Sequence, residues 1–291
     1  MKAFVFPGQA SQFPGMGKNI YDQYSDSHAF FEEANDILGF DIKKIMFEGS
    51  TDELKQTDVT QPAVFLYSYL SYAMKEGKPK PGAMAGHSLG EITALVASGA
   101  LTFNDGLRLV KSRANAMQKA CELENSSMAA IVGLSDEAVR KVCHDIRESV
   151  IAANFNCPGQ VVISGSQVGV EIAIEKLKSE GAKRALPLAV GGAFHSRFMK
   201  PAEDDLREKI KSTSFSAPSC PIYQNVDAKP HIDPEEIQDN LISQLTSPVL
   251  WTQTMEQMIS DGVDEFIECG GKVLSGFVKR VDRKFPTQQI T

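Results

Sequence analysis

Ser88 lies in a Gly-x-Ser-x-Gly pattern that could present a nucleophile. Residues 83–85 predict a strand, residues 92–97 predict a helix, and the residues between them form a tight turn. A β-carbon at Gly86 or Gly90 would collide in so sharp a turn, so the glycines let the Ser88 hydroxyl stand at the end of the strand. The helix that follows favours negative charge near its first residues. A Gly-Ser-Gly turn can also be purely structural, and only the strand and helix around this one indicate a nucleophile.

His195 is the histidine best placed to act as a base for Ser88. It follows Gly191 and Gly192, just past the end of a predicted strand, which suits a side chain that works at one edge of a sheet. His87 is next to Ser88, but neighbours on a sharp turn tend to point apart, which favours a structural role. The remaining histidines lie in helical patterns with acidic neighbours or in a proline-flanked loop: His28, His144 and His231.

Arg113 is the basic residue whose position on its helix leaves two interpretations open. Residues 106–117 predict an amphipathic helix, with Arg113 on the flank of the apolar stripe and Arg108 pointing to solvent. A flanking arginine can reach into a cleft. The periodicity alone favours the other interpretation, in which the Arg113 stem extends over the edge of the core.

The loop at residues 7–17 is dense in glycine and proline and follows the first predicted strand. In an α/β sheet, ligands bind at the carboxyl ends of the strands. Exposed backbone amides in this loop suit an oxyanion, and a plain connecting loop is an equal alternative. No Gly-Lys-Ser/Thr follows, so the loop is not a phosphate-binding loop.

The remaining pattern predicts an α/β protein with two parts. Residues 126–190 have the order β-α-β-β-α-β, which is the ferredoxin-like plan. We therefore predict a ferredoxin-like subdomain at 126–190, inserted into an α/β body made of 1–125 and 191–291. A helix from Thr57, with Pro62 near its first turn and its end near Gly77, is apolar on almost all sides and is expected to be buried against the Ser88 turn. Within the subdomain, the last strand is expected at 183–190.

Composition narrows the class of protein. The chain has 291 residues and a formal net charge of −7, which argues against nucleic acid as the main partner. It begins at once with a strand and holds no apolar run long enough to span a bilayer, so we expect a cytoplasmic protein with no membrane partner. Its five cysteines are scattered and lack metal-ligand spacing, which predicts reduced thiols, no disulfide and no metal site.

Eight short motifs follow one another along the chain. They are VFPGQASQ at 5–12, TQPA at 60–63, GHSLGE at 86–91, SR at 112–113, PGQVVISG at 158–165, FHS at 194–196, PVLW at 248–251 and GKVL at 271–274. Together, and in this order, they resemble the malonyl-CoA:acyl carrier protein transacylases of bacterial fatty-acid synthesis. The resemblance covers almost the whole chain and implies an α/β hydrolase-like body with a ferredoxin-like subdomain.

The resemblance also implies the chemistry. Ser88 would be the nucleophile and His195 its base, with the backbone carbonyl of Gln244 orienting the histidine in place of a carboxylate. Arg113 would pair with the malonyl carboxylate, and the Phe194 ring would limit the space for a methyl branch.

The backbone amides of Gln9 and Leu89 would form the oxyanion hole. The implied substrates are malonyl-CoA and the phosphopantetheine arm of acyl carrier protein. The implied reaction needs no cofactor, and we expect the chain to act as a monomer.

Two positions depart from the family pattern. Ala10 stands where the family usually has glycine, which is expected to narrow the oxyanion loop. Residues 269–271, Cys-Gly-Gly, replace the usual Gly-Pro-Gly, a change that we expect to be tolerated.

Acyl carrier protein is usually acidic, so docking on this acidic chain needs a local basic face. The candidates, which could equally be ordinary solvated charges, are Lys183, Arg184, Arg197, Lys200, Lys279 and Arg280.

Two other classes of protein compete with this interpretation. An esterase or thioesterase would need an acid between Ser88 and His195 in chain order, and the acids there lie in surface-like helical patterns: Asp136, Asp145 and Glu171. A catalytically inactive module that binds carrier protein would have no use for an intact Ser88 and His195.

Overall fold

The computed structural model describes residues 1–291 and contains ten strands and twelve α-helices. The strands are β1 Lys2–Phe6, β2 Ala83–Gly86, β3 Ser126–Val132, β4 Val150–Cys157, β5 Gln160–Ser166, β6 Arg184–Pro187, β7 Ile222–Tyr223, β8 Pro230–His231, β9 Glu265–Cys269 and β10 Thr287–Ile290. The helices are α1 Lys18–Gln23, α2 Ser27–Leu38, α3 Ile42–Glu48, α4 Thr57–Ala73, α5 Gly90–Ala97, α6 Phe103–Leu123, α7 Asp136–His144, α8 Gln167–Ser179, α9 Lys200–Ser212, α10 Pro234–Ser243, α11 Trp251–Ser260 and α12 Val273–Val281.

The larger sheet has six strands in the order β10-β9-β1-β2-β7-β8. All neighbours pair in parallel except β7 and β8, which are antiparallel. A parallel sheet must be covered on both faces, and β1 follows this rule because its four buried residues alternate between two cores. Phe4 and Phe6 pack with α2, α4, α5 and α6, whereas Ala3 and Val5 pack with α11 and α12. The α/β class is confirmed.

The smaller sheet is antiparallel, with the order β4-β5-β3-β6. Its elements follow the chain order β3-α7-β4-β5-α8-β6, as the sequence predicted, and α7 and α8 cover one face of the sheet around a core of its own. Ser135 caps α7 by accepting a hydrogen bond from the Ala138 amide.

Backbone hydrogen bonds join the small sheet to the segment before α11. Val249, in the segment before α11, donates to the Ala153 carbonyl at 2.8 Å and accepts from the Phe155 amide at 2.9 Å. Strand β4 of the small sheet is thereby fixed to the helical layer of the large one.

Several boundaries differ from the predictions. Helix α4 ends at Ala73 rather than near Gly77, and Pro62 lies in its second turn rather than its first. Proline has no backbone N–H, so the Asp58 carbonyl receives no helical hydrogen bond from residue 62. Asp58 is exposed, and water can bond to this carbonyl instead. Strand β6 spans only Arg184–Pro187 rather than 183–190, and the last bond to its neighbour β3 is donated by the Leu188 amide to the Met128 carbonyl at 2.9 Å.

Four elements lack a sequence prediction: α1, β8, α12 and β10. Ile290 is the one buried side chain of the edge strands β8 and β10, so these strands lack the apolar alternation that marks a strand. All five cysteines are free thiols, four of them buried. None of the helices combines the length and the apolar character that crossing a bilayer requires.

Candidate active site

Ser88 occupies the sharp turn between β2 and α5. Its φ is +53°, in the left-handed region that non-glycine residues rarely adopt. A β-carbon on Gly86 would overlap the backbone of Gly90, and one on Gly90 would overlap the Phe6 carbonyl. The predicted need for both glycines is therefore confirmed, since they let the turn pass against β1 and its own helix.

Ser88 and His195 form a hydrogen-bonded pair. Ser88 Oγ lies 2.7 Å from His195 Nε2, and His195 Nδ1 lies 3.0 Å from the Gln244 carbonyl oxygen. A carbonyl can only accept, so the proton of the neutral ring is on Nδ1 and the Nε2 lone pair faces the serine hydroxyl. This is the arrangement in which a histidine can remove the serine proton.

The environment keeps His195 uncharged. The side chain is 4% exposed, and burial, followed by the positive charge of Arg113, lowers the pKa of His195 to about 3. At neutral pH the ring is therefore a free base.

The loop that carries His195 is held by the small sheet. Ser164 of β5 donates to the Phe194 carbonyl at 2.7 Å, and Ser126 of β3 accepts from the Ala193 amide at 3.1 Å. His195 itself has a φ of +56°. The geometry of the base thus depends on contacts across the two sheets.

Arg113 is buried beside the nucleophile, so the expectation that its stem would lie over the edge of the core is wrong. Helices α4 and α9 both pack against α6, and the side chain is 1% exposed. Its Nη2 donates to Ser88 Oγ at 2.9 Å, and its Nη1 donates to Gln61 Oε1 at 2.7 Å. Burial lowers the pKa of Arg113 to about 10, opposed by the charge of Glu91, and the guanidinium is still a cation at neutral pH.

Leu89 has the one backbone amide in the Ser88 turn without an acceptor in the protein. The amide of His87 donates to Phe6, that of Ser88 to Asn225, that of Gly90 to His87, and that of Glu91 to Ser88. The Leu89 amide, at the start of α5, makes no such bond. The amide of Gln9, in the loop after β1, is also free.

Asn225 is a residue of this site that the sequence did not single out. Its Oδ1 accepts from the Ser88 amide at 2.6 Å, and its Nδ2 donates to the Gly86 carbonyl at 2.7 Å. Its own backbone amide donates to Glu91 Oε2 at 2.7 Å. Asn225 therefore bridges both sides of the turn that presents the serine. The role of Asn225 depends on the contact between residues 225 and 86 in the fold, and the residues around Asn225 give no local motif that would predict it.

Glu91 is fully buried at the start of α5, and its carboxylate accepts from Gln224 at 3.2 Å as well as from Asn225. Burial raises the pKa of Glu91 to about 7, opposed by these hydrogen bonds. The carboxylate secures the segment that carries Asn225.

A cavity of about 400 Å³ opens over Ser88 between the two sheets. Gln9, His195 and Phe194 line it, and residues of the small sheet form its opposite wall: Met128, Ala130, Asn154, Asn156, Gln160 and Val162. The cavity is large enough for a slender chain that ends at the serine.

His87 points away from Ser88, as expected for adjacent residues on this turn. Its Nε2 lies 2.8 Å from Asn156 Oδ1 on the small sheet, and its ring packs edge-on against Trp251. Burial lowers the pKa of His87, so the ring is neutral at physiological pH. It joins the nucleophile turn to β4.

No carboxylate completes a triad with His195. Asp145 and Glu171 are exposed, and Asp136 lies at the start of α7 near Gln253. The partner of His195 Nδ1 is the Gln244 carbonyl. The side chains also contain no cluster of three or more histidine, cysteine, aspartate or glutamate residues that could hold a metal ion.

All six basic residues considered for docking are exposed. Lys200 pairs with Glu203 and Asp204, which neutralise it. Arg280 of α12 donates to the Pro158 carbonyl at 3.2 Å, in the hairpin turn beside the cavity-lining residue Gln160. Of these six candidates, Arg280 is thus the one that lies beside a residue of the cavity lining.

The departures from the family pattern have structural counterparts. Ala10 has a φ of +75°, a conformation that favours glycine, and its side chain is exposed. Gly270 has a φ of +80°, which proline cannot adopt. The turn after β9 therefore differs in conformation from one that contains proline.

Comparisons with known proteins identify the family. Residues 3–271 match the model of the acyl transferase domain. The malonyl CoA-acyl carrier protein transacylase of Bacillus subtilis is 44% identical, with 99% of this chain and 93% of the relative covered. The Escherichia coli K12 protein of the same name is 43% identical, with 96% of this chain and 92% of the relative covered.

Solved structures agree with this result. The acyl-carrier-protein S-malonyltransferase of Burkholderia pseudomallei superposes with a TM-score of 0.95 at 44% identity, covering 99% of this chain and 95% of that structure. A malonyl-transacylase in complex with a type II PKS acyl-carrier protein has a TM-score of 0.95 at 38% identity, with the same coverage. The chain belongs to the acyl transferase domain family, within its malonyl CoA-acyl carrier protein transacylases.

Proposed function

We propose that the chain transfers the malonyl group of malonyl-CoA to the phosphopantetheine thiol of acyl carrier protein. The malonyl carrier protein formed in this way would supply fatty-acid synthesis. The observation that carries the proposal is the buried guanidinium of Arg113 beside the Ser88 hydroxyl. A cation in this position selects an acyl group that ends in a carboxylate, and it has no use in a simple esterase.

In the first half-reaction, Ser88 Oγ attacks the thioester carbonyl carbon while His195 Nε2 removes the hydroxyl proton. The carbonyl oxygen becomes an oxyanion, which the Gln9 and Leu89 amides would stabilise. Loss of one such donor typically costs about 3 kcal/mol of barrier. The C–S bond then breaks, His195 returns the proton to the departing thiolate, and coenzyme A leaves a malonyl ester on Ser88.

In the second half-reaction, the carrier's thiol attacks the ester carbonyl and gives its proton to His195. The same amides would hold the oxyanion as the bond to Ser88 Oγ breaks, and His195 reprotonates the serine. The Gln244 carbonyl would keep the histidine in the required tautomer throughout. The reaction as proposed needs no cofactor.

Phe194 is proposed to limit the acyl group to an unbranched malonyl. Its ring is buried at the cavity wall, next to His195 in the chain. Competition between malonyl-CoA and methylmalonyl-CoA should favour malonyl-CoA, and a smaller side chain such as alanine at residue 194 should reduce that preference.

We further propose that residues 126–190 act as a subdomain that closes the cavity over the body formed by 1–125 and 191–291. A single copy of the chain holds every group used in these steps, consistent with a monomer.

A cytoplasmic location would suit a protein that meets coenzyme A thioesters and acyl carrier protein, with no role for nucleic acid or membrane.

Intact mass spectrometry tests the proposal directly. Protein mixed with malonyl-CoA should gain one malonyl group, which the Ser88→Ala variant should not gain. Addition of carrier protein bearing its phosphopantetheine arm should move the group to the carrier. An adduct that only hydrolyses would favour a thioesterase, and no adduct would favour a carrier-binding module.

The Arg113→Ala variant separates malonyl transfer from general acyl transfer. We expect its acylation by malonyl-CoA to fall by about 100-fold or more, because an unpaired buried carboxylate costs about 2–5 kcal/mol. Acylation by acetyl-CoA should fall much less. Equal losses for the two substrates would contradict the role proposed for Arg113.

A further inference from the structure

We propose that Gln61 sets the charge requirement of the acyl site by holding Arg113 with a neutral acceptor. The proposal rests on the function proposed above, since it concerns the acyl group that Arg113 would pair with.

Gln61 is fully buried on α4 and has only one orientation available. Its Oε1 accepts from Arg113 Nη1 at 2.7 Å, and its Nε2 lies 3.4 Å from the sulfur of Met117. A guanidinium offers only donors, so the amide oxygen must face it, while the thioether sulfur is a weak acceptor for the amide hydrogens. Gln61 thus fixes the direction of the guanidinium and adds no negative charge.

The other groups that accept hydrogen bonds from Arg113 are also neutral, so no carboxylate pairs directly with the guanidinium. Gln244 Oε1, another neutral amide oxygen, lies 3.4 Å from Nη2. None of the ion pairs in the protein includes Arg113. Glu91 is the acid whose charge acts on Arg113, but its oxygens accept hydrogen bonds from Gln224 and Asn225 instead.

This arrangement decides which acyl group the site accepts. A buried cation without a counter-charge is costly, and an acyl group with a terminal carboxylate removes that cost by pairing with it. A neutral acyl group on Ser88 leaves the cation unpaired. A carboxylate at residue 61 would pair with Arg113 permanently, so a malonyl group would then bring a second negative charge to a site already neutral.

The test replaces Gln61 with glutamate and, as the matched control, with methionine. Gln61→Glu keeps the shape and adds the charge, whereas Gln61→Met keeps a similar length and removes the acceptor without adding charge. Acylation rates of Ser88 by malonyl-CoA and acetyl-CoA are measured by quenched-flow mass spectrometry, and thermal unfolding confirms that each variant is folded.

We expect Gln61→Glu to lower the malonyl rate by about 30- to 1,000-fold, the equivalent of breaking a buried charge pair. Its acetyl rate should stay within a few-fold of wild type or rise. Gln61→Met leaves the guanidinium charged but less well directed, so it should lower the malonyl rate less than Gln61→Glu does and keep malonyl the preferred acyl group.

A Gln61→Glu variant that keeps the malonyl preference, or that loses both activities equally, would overturn the proposal. A Gln61→Met variant that prefers acetyl-CoA to malonyl-CoA would also overturn the proposal. This second variant provides a test even if Gln61→Glu does not fold. Wild-type protein that gains no malonyl group would instead refute the proposed function itself.

Discussion

The backbone amide of Ser88 donates a 2.6 Å hydrogen bond to the side-chain oxygen of Asn225. The same side chain donates to the Gly86 carbonyl. The Asn225 side chain therefore bonds to two backbone groups, the Ser88 amide and the Gly86 carbonyl, that have no backbone partner in the sharp turn. A non-glycine residue in the left-handed region costs about 1–2 kcal/mol, and these two bonds offset that cost for Ser88. The bond to Asn225 occupies the Ser88 amide, whereas the Leu89 amide has no acceptor in the protein.

Replacing Asn225 with alanine should therefore loosen the nucleophile. We expect the acylation rate to fall at least tenfold with little change in the KM for malonyl-CoA, as measured by pre-steady-state acylation. Gln224→Ala is the control, because this neighbour is equally buried and its side chain bonds to Glu91 and Ile237 but not to Ser88 or Gly86. If both variants lower only thermal stability and leave the acylation rate of the folded protein intact, Asn225 is not a positioning residue.

The pH dependence of acylation should report the low pKa of His195. Because the folded protein keeps this ring neutral down to about pH 3, its base form persists far below the ordinary histidine pKa of 6.5. The acylation rate by malonyl-CoA should thus show no loss with a midpoint near 6.5 when followed between pH 8 and pH 5.5. An acid limb centred on 6.5 that persists in a Glu91→Gln variant would contradict the neutral, buried ring, because Glu91 itself has a pKa of about 7.

His195 should also make stability depend on pH. Its pKa is lower in the folded chain than in the unfolded one, so its contribution is complete above pH 6.5 and is lost as the pH falls towards 3. Between pH 7.5 and pH 5.5 the loss is about 1 kcal/mol. Glu91 acts with the opposite sign because its folded pKa is raised, so the comparison must be made against a His195→Gln variant by urea denaturation. An equal pH dependence in both proteins would contradict the assignment.

Arg280 should contribute to the docking of acyl carrier protein. Its position beside the hairpin turn at the cavity mouth predicts that Arg280→Glu slows malonyl transfer to the carrier by about tenfold, since reversal of one docking charge mainly slows association. Acylation by malonyl-CoA should not change. Arg108→Glu makes the same charge change on the exposed side of α6 and serves as control. Equal effects of the two variants would mean that only net charge matters.

The family proline should be unfavourable at residue 270. Gly270 has a φ of +80°, its amide donates to the Ile290 carbonyl at 2.8 Å, and a β-carbon there would lie 2.5 Å from Ser68 Cα. Gly270→Pro violates all three conditions, so we expect it to lower the free energy of unfolding by about 3 kcal/mol or more. Denaturant titration measures this value. A neutral or stabilising effect would mean that the turn can adopt the conformation of its relatives.

The family glycine should be favourable at residue 10. Ala10 has a φ of +75° and an exposed side chain, so Ala10→Gly removes strain and loses no packing. We expect a gain in the free energy of unfolding of about 1 kcal/mol or less, because the added freedom of the unfolded chain cancels part of the benefit. Differential scanning calorimetry of the two proteins provides the comparison. A clear loss of stability would indicate that the alanine methyl group makes a contact of its own.

Much of the fold could be predicted because its elements carry local signals. The βαββαβ order of residues 126–190 follows from alternating periodicity in the strands and from caps such as Ser135 at the starts of the helices. Strand β10 could not be predicted, because an edge strand with exposed glutamines has no periodic apolar face. Helix periodicity placed Arg113 on a flank, but whether a flank is buried depends on which other helices pack there.

Within the site, the sequence predicted the residues that lie in short motifs and missed those that act through long-range contacts. The Ser88 turn is a local feature. The contact of Asn225 with Gly86 joins residues 139 positions apart, and the contact of Gln61 with Arg113 joins residues 52 positions apart. Gln61 lies in a motif, but its role becomes visible only when α4 and α6 are packed together.

The carbonyl that orients His195 has a consequence for the lifetime of the acyl enzyme. A carbonyl carries no net charge, so an imidazolium at this position gains no counter-ion, and the ring is a weak base. Ser88 is deprotonated despite this weak base because Arg113 donates a hydrogen bond to its hydroxyl oxygen. Water, whose pKa is about 15.7, gains little from the ring, whereas a thiol with a pKa of about 8.5 needs far less help. We therefore expect the malonyl ester to be hydrolysed slowly and to react faster with a thiol. The selectivity between water and thiol would then come from the difference in their acidity rather than from exclusion of water.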